Sequence, residues 1–212
     1  TRQQEAGFKP YFMDANANVF DGYIQSIALN GNTVVMGAQD RLIRWNRATN
    51  KTEFIPCYLP NGNKITNETF RIVHFDDAGN LWVGTSRYGI LVLDKNDKTI
   101  HHFKFDSTAK GLPSLWINSI SKDGDGNTWI GALNGVCQVK KNSFDIIRFE
   151  DHPLLKKISK VQCSEIFNDR ENRTWIGTTN GVYCFDKTAN SLKHYTTRHG
   201  LADPIVLAIN QD

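Results

Sequence analysis

The sequence predicts an all-β protein, a β-propeller built of four-stranded antiparallel blades, with about four complete blades plus edge strands. Three observations carry this. A "WIG"-like signature recurs at a fixed interval, its glycines falling at Gly37, Gly84, Gly131 and Gly177, which are 47, 47 and 46 residues apart. Other columns keep the same period: Val73, Ile120 and Ile166 stand eleven residues before the glycine, and Ile27 ten before its own. Finally, each unit is made of short runs rich in Val, Ile, Trp, Phe and Thr, punctuated by Gly, Asn and Asp. Four strands in a repeat of 40 to 50 residues are the pattern of a propeller blade.

Each element follows from the local residues. In the third unit the strands are predicted at 116–121, 128–132, 135–140 and 144–149. Aligning the other units on it places the blades at about 23–57, 68–106, 115–150 and 161–197, as one partial propeller over 1–212. "FKPYF" (8–12) reads as the last strand of a preceding blade, and "VLAINQD" (206–212) matches "INSISKD" (117–123), so a further blade is expected to start at 205–212. Only "PLLKKISK" (153–160) hints at a helix, and it is very short.

The Trp column, Trp82, Trp129 and Trp175, with Val35 in the first copy, precedes the glycine by two residues. A ring fixed in that register is expected to fill the space between stacked blades, at about 3–5 kcal/mol each if truncated. Gly84, Gly131 and Gly177 are expected to permit a close backbone approach or a bulge. A second glycine, Gly89, Gly135 or Gly181, opens the next strand.

The chain has 212 residues, 40% hydrophobic and 22% charged, enough for a sizeable core. A net charge of +3 without dense Lys and Arg clusters argues against a nucleic-acid partner, and "LLKKISK" (154–160) reads as a solvated loop. No stretch resembles a membrane span or a signal peptide. Cys57, Cys137, Cys163 and Cys184 lack metal-type CxxC spacing. Three of them lie in apolar strand-like runs, where a free buried thiol is expected, with a disulfide as the alternative.

The stretches "DDAGNLWVGTSRYGILVLD", "DGDGNTWIGALNGVCQVK" and "DRENRTWIGTTNGVYCFD", with "GL" at Gly111–Leu112 and Gly200–Leu201, resemble the two-component regulator propeller repeat. The resemblance runs from about Tyr23 onward and is weaker in the first unit, which lacks the Trp and one turn residue. It implies an extracytoplasmic sensor region of a hybrid two-component system of Bacteroides-like bacteria, periplasmic in location. There, usually seven blades precede a β-sandwich, a membrane helix and a histidine kinase, and many such sensors respond to oligosaccharides. The chain would then be an excised piece of a larger sensor, or close alone with its N-terminal strand meeting its C-terminal one; otherwise its apolar ends would meet a second copy or the remaining blades.

Asp123, Asp125 and Asn127 alternate like calcium ligands, but the aligned positions are Asp76, Ala78 and Asn80, and Asp169, Glu171 and Arg173. Position six of the loop is Thr128, where an EF-hand needs Gly. "DGDGN" therefore reads as a hairpin turn, and no metal or cofactor is expected. His101 and His102 would point to opposite faces of one strand, and the scattered carboxylates form no acid–base pair, so no catalytic residue is expected.

Ligand recognition is expected on the face made by the loops before the inner strands and those joining the second and third strands. There Arg87 suits a carboxylate or sulfate, and Tyr88 and Trp116 suit stacking on a sugar ring. Asn134 and Asn180 either bond ligand hydroxyls or occupy a left-handed turn before Gly. The leading expectation is a non-enzymatic sensor that binds a small ligand, an oligosaccharide, without membrane contact by this segment. The alternative is a protein-association scaffold.

Overall fold

The computed structural model describes residues 23–108 and 110–212, so the strand expected at 8–12 lies outside the described residues. The described chain forms four antiparallel four-stranded sheets, each laid out in chain order. Blade 1 holds β1 (Ile24–Asn30), β2 (Thr33–Ala38), β3 (Leu42–Asn46) and β4 (Lys51–Ile55). Blade 2 holds β5 (Phe70–Phe75), β6 (Leu81–Thr85), β7 (Ile90–Leu93) and β8 (Thr99–Phe103). Blade 3 holds β9 (Ile117–Lys122), β10 (Thr128–Ala132), β11 (Gly135–Val139) and β12 (Ile146–Ile147). Blade 4 holds β13 (Cys163–Asn168), β14 (Arg173–Thr178), β15 (Gly181–Asp186) and β16 (Ser191–Tyr195). The "PLLKKISK" stretch contributes one short 3-10 turn, Leu155–Lys157.

The cores lie between successive blades, since a single sheet cannot cover both of its own faces. Val35 and Leu42 of blade 1 pack with Val73, Val83 and Leu91 of blade 2. Trp82 and Ile90 pack with Ile120, Ile130 and Cys137, and Trp129 and Val136 with Ile166, Ile176 and Phe185. Trp82 and Trp129 are thus interblade fillers, 4% and 2% exposed. Trp175 is half-buried on the far face of blade 4, stacked on Tyr195 at 6.0 Å.

The glycines follow from the same stacking. A Cβ at Gly84 would run into Ile72 and Ile117, and one at Gly131 into Cys163 of the next blade's inner strand. At Gly177 it would meet Val206 and Ile209. Residues 205–212 form no paired strand, yet the Val206 N–H donates to the Thr178 carbonyl at 3.0 Å. The segment therefore lies along blade 4 where an inner strand would follow.

The outer strand of blade 3 is shorter than expected, two residues instead of 144–149. Its flanking side chains are drawn elsewhere. Phe144 stacks on His101 at 4.1 Å, Phe149 packs on Trp129, and Arg148 turns to the Gly111 carbonyl and to Glu150.

The repeated aspartate has a role beyond turn geometry. In blades 2, 3 and 4, one oxygen of Asp76, Asp123 or Asp169 accepts the backbone N–H four residues on, each time at 2.8 Å. The other oxygen accepts the indole N–H of Trp82, Trp129 or Trp175, at 3.1, 2.9 and 2.8 Å. A carboxylate thus ties each hairpin turn to the aromatic filler two strand positions away, and a buried indole N–H finds its acceptor. "DGDGN" is the turn between β9 and β10, closed by this bond.

Serines stitch neighbouring blades. Ser26 Oγ accepts the Val73 N–H at 2.8 Å, and Ser119 Oγ accepts the Ile166 N–H at 2.9 Å while donating to Glu165 at 3.0 Å. Ser119→Ala strands a buried N–H and is expected to cost about 1–2 kcal/mol, read as a lowered urea midpoint at unchanged slope.

Burial pushes the Cys57 and Cys137 thiols up to about 12 and raises that of Cys163 further. All four cysteines are free and buried.

Candidate functional site

Inner strands of all four blades share one irregularity. In each, the pairing with the second strand skips a residue: Gln25 in β1, Arg71 in β5, Asn118 in β9 and Ser164 in β13. A bulge residue is freed from the ladder and its side chain is re-aimed. Here the four bulge residues converge on a single cavity of about 500 Å³, completed by Trp116, Leu133, Gln162, Glu165 and Leu207. Residues from four successive blades meet only at the axis, so the cavity is axial. Trp116 precedes β9 and Leu133 joins β10 to β11, so the cavity opens on the face made by those two loop classes. The Leu133 N–H donates to the Trp116 carbonyl at 3.0 Å and binds the two loops together.

The wall is organised around Asn118. Its side-chain oxygen accepts from Arg71 Nε at 3.2 Å, from Arg71 Nη2 at 2.9 Å and from Trp116 Nε1 at 3.0 Å. Its amide nitrogen donates to the Cys163 carbonyl at 2.7 Å, anchoring the cluster to blade 4. The Arg71 guanidinium lies 4.5 Å over the Trp116 ring. Burial lowers the Arg71 pKa from its ordinary value.

Glu165 borders the same cavity, and burial raises its pKa, opposed by hydrogen bonds from Ser119 and the Ile166 N–H. A carboxyl whose folded-state pKa is raised binds its proton more tightly when folded, so ionisation at higher pH costs stability. Glu165→Gln is therefore expected to raise stability at neutral pH and to leave it unchanged below the ordinary carboxylate range. Urea midpoints measured at pH 3 and pH 7.5 check the sign.

The residues expected to bind ligand fall in different places. Trp116, 39% exposed, lines the axial cavity. Arg87 and Tyr88 do not line it. The Arg87 guanidinium is committed to the buried Glu68, at 3.1 Å, and to the Asn67 carbonyl. Glu68 also accepts the N–H groups of Thr69 and Ser86, which makes it the clamp of the blade 2 loop. Tyr88 packs on the core between blades 1 and 2, and its carbonyl accepts His102 Nε2 at 2.7 Å. Asn134 and Asn180 are exposed, and the positive φ falls on Gly135 and Gly181, not on the asparagines. The left-handed turn expected of Asn134 and Asn180 is thus a glycine feature. His194 Nε2 bonds the Asn180 carbonyl at 2.6 Å, just as His102 holds Tyr88.

Gln25, Arg71, Asn118 and Ser164 escaped the sequence reading. One signal was available: a polar residue stands 12 or 13 positions before the repeat glycine, second in each inner strand.

A second cavity, about 260 Å³, opens between blades 2 and 3 on the side of the Asp–Trp turns, lined among others by His74, Asp77, Lys122 and Phe144. Its aromatic wall is already packed, with Trp82 nearly closed off and Phe144 stacked on His101.

Comparison with known proteins agrees with the blades. The two component regulator propeller family matches residues 111–134. No curated protein sequence matches the chain. Among solved structures, the extracellular domain of the putative hybrid two component system BT3049 from B. thetaiotaomicron superposes at a TM-score of 0.60 and 18% identity. That match covers 94% of this chain and 32% of that domain, so the chain spans about a third of its relative's length. Virginiamycin B lyase from Staphylococcus aureus superposes at 0.57 and 17% identity, over 82% of this chain and 55% of the lyase. U3-55K gives 0.63 at 10% identity, over 84% of this chain and 53% of that protein. At such identities these structures share the fold alone. With its four antiparallel blades, the chain is a β-propeller, and its residues 111–134 match the two component regulator propeller repeat.

Proposed function

We propose that this propeller is a ligand-binding part of an extracytoplasmic, periplasmic sensor in a two-component signalling protein, and that it recognises an oligosaccharide or similar small polar ligand without catalysis. The observation that carries this reading is the axial cavity of about 500 Å³, into which every blade aims one bulge residue. Its lining mixes amide, hydroxyl, guanidinium and indole groups, the set that hydrogen-bonds hydroxyls and stacks on sugar rings. Glycosidic cleavage needs two carboxyl groups across the bond, and Glu165 is the one carboxyl among the described lining residues. The repeat match and the likeness to an extracellular domain support the sensor class.

Calorimetric titration of this chain with a panel of glycan fragments tests it. Binding that Trp116→Ala weakens about tenfold or more is expected. Absence of binding to every fragment would sink the reading.

A second reading, association through the blade faces, is favoured by one observation. Ile27 is 64% exposed, whereas its repeat equivalents Val73, Ile120 and Ile166 are 4%, 6% and 2% exposed. Leu29, 57% exposed, and Leu207, 74% exposed, add to apolar ends that suit the remaining blades of a parent protein or a second copy. Sedimentation over a range of concentrations decides whether this chain self-associates; a strict monomer argues against the second copy.

A further inference from the structure

Two ionisable groups border the axial cavity, Arg71 and Glu165, and among the described residues neither is in an ion pair. Arg44, Arg87, Arg148 and Arg173 each stand against a carboxylate. Arg71 does not. Its partners among the described residues are neutral: the Asn118 carbonyl oxygen and the face of Trp116. A half-buried cation without a counter-charge is unfavourable, and burial is the sole cause of its lowered pKa. Yet the guanidinium is held in place on two sides, its Nε edge by Asn118 and one face by the indole. The end bearing Nη1 and the second Nη2 proton is left for the cavity, and such a planar two-donor end matches the two oxygens of a carboxylate.

We infer that Arg71 is an anion-recognition residue and that the axial ligand carries a carboxylate, as a uronic acid does. The inference rests on the reading of the axial cavity as the ligand site and adds the chemical class of its occupant. The carboxylate takes the Nη1 end of Arg71, while Gln25, Gln162, Ser164 and Glu165 face the hydroxyl-bearing remainder. Specificity then comes from charge as well as shape: a neutral sugar leaves the guanidinium desolvated and unpaired, whereas an acidic one completes the pair.

The Trp116 indole N–H bonds Asn118 beside Arg71, so its resonance reports on this wall. The protein is titrated with glucuronate, galacturonate, mannuronate and iduronate, and with the corresponding neutral hexoses. At least one uronate is expected to shift the Trp116 signal and to bind about tenfold more tightly than its neutral counterpart, with affinity falling as salt rises. Arg71→Gln, which keeps a donor for Asn118, should bring the pair within about twofold, and Arg71→Lys should fall between; urea midpoints establish that both variants fold. A preference for the neutral sugar, or an acid preference that survives Arg71→Gln, overturns the inference. Neutral hexoses that move Trp116 while no uronate does overturn it alone and leave the axial site standing. Binding that never moves Trp116, or no binding at all, overturns the axial site as well.

Discussion

Gly135→Ala removes about 2–5 kcal/mol of folding stability. Two costs add at this position. The backbone has φ of +145°, a region that any side chain resists, at about 1–2 kcal/mol. The new methyl would also collide with the Ser159 carbonyl oxygen and lie 3.1 Å from Pro113 Cβ. Backbone on the loop preceding blade 4 cannot rotate aside as a side-chain tip could, so the collision adds about 1–3 kcal/mol. Gly62→Ala is the internal control: φ is +86°, but nothing lies within 4 Å of the added atom. That variant pays strain alone, about 1 kcal/mol. Urea unfolding of the two variants separates the terms, and equal losses would show that the collision relaxes at no cost.

Asp123→Ala is expected to cost about 3–5 kcal/mol. The carboxylate is 6% exposed and accepts from the N–H groups of Asp125 and Asn127 and from Asn127 Nδ2, Trp129 Nε1 and Gln138 Nε2. Alanine leaves these donors without an acceptor, three of them on side chains that line the blade 3–blade 4 cleft. Because Trp129 is one of the orphans, Trp129→Phe should cost less in the Asp123→Ala background than alone, by about 1 kcal/mol. Strict additivity in the double-mutant cycle would mean that the indole bond contributes nothing to the fold.

Much of this architecture can be read from the sequence because it is periodic. The 46- and 47-residue interval sets the blades, and the Trp and Gly columns mark where sheets press together. What escapes is set by register and by competition between partners. A β-bulge leaves only a faint residue signature: Gln25, Arg71, Asn118 and Ser164 share polarity and a place in the pairing, but no functional group. Arg87 draws attention as a charged loop residue, yet its guanidinium is claimed by Glu68, nineteen residues earlier and fully buried. Trp116 is legible because it lies in a loop, while its neighbour Asn118, the hub of the same cluster, hides in a strand. The truncated β12 likewise reflects Phe144 and Phe149 leaving the sheet for aromatic partners, a preference that β-propensity does not encode.

The four bulges have a consequence for how such a protein can diverge. A residue skipped by the ladder carries no cross-strand partner on its second strand, so exchanging its side chain leaves that pairing intact. The register of every blade is held by its neighbours in the strand. A family built on this frame can therefore rewrite its binding chemistry at one bulge position per blade, with Arg71 and Asn118 changing together, while the stacked sheets behind them stay constant.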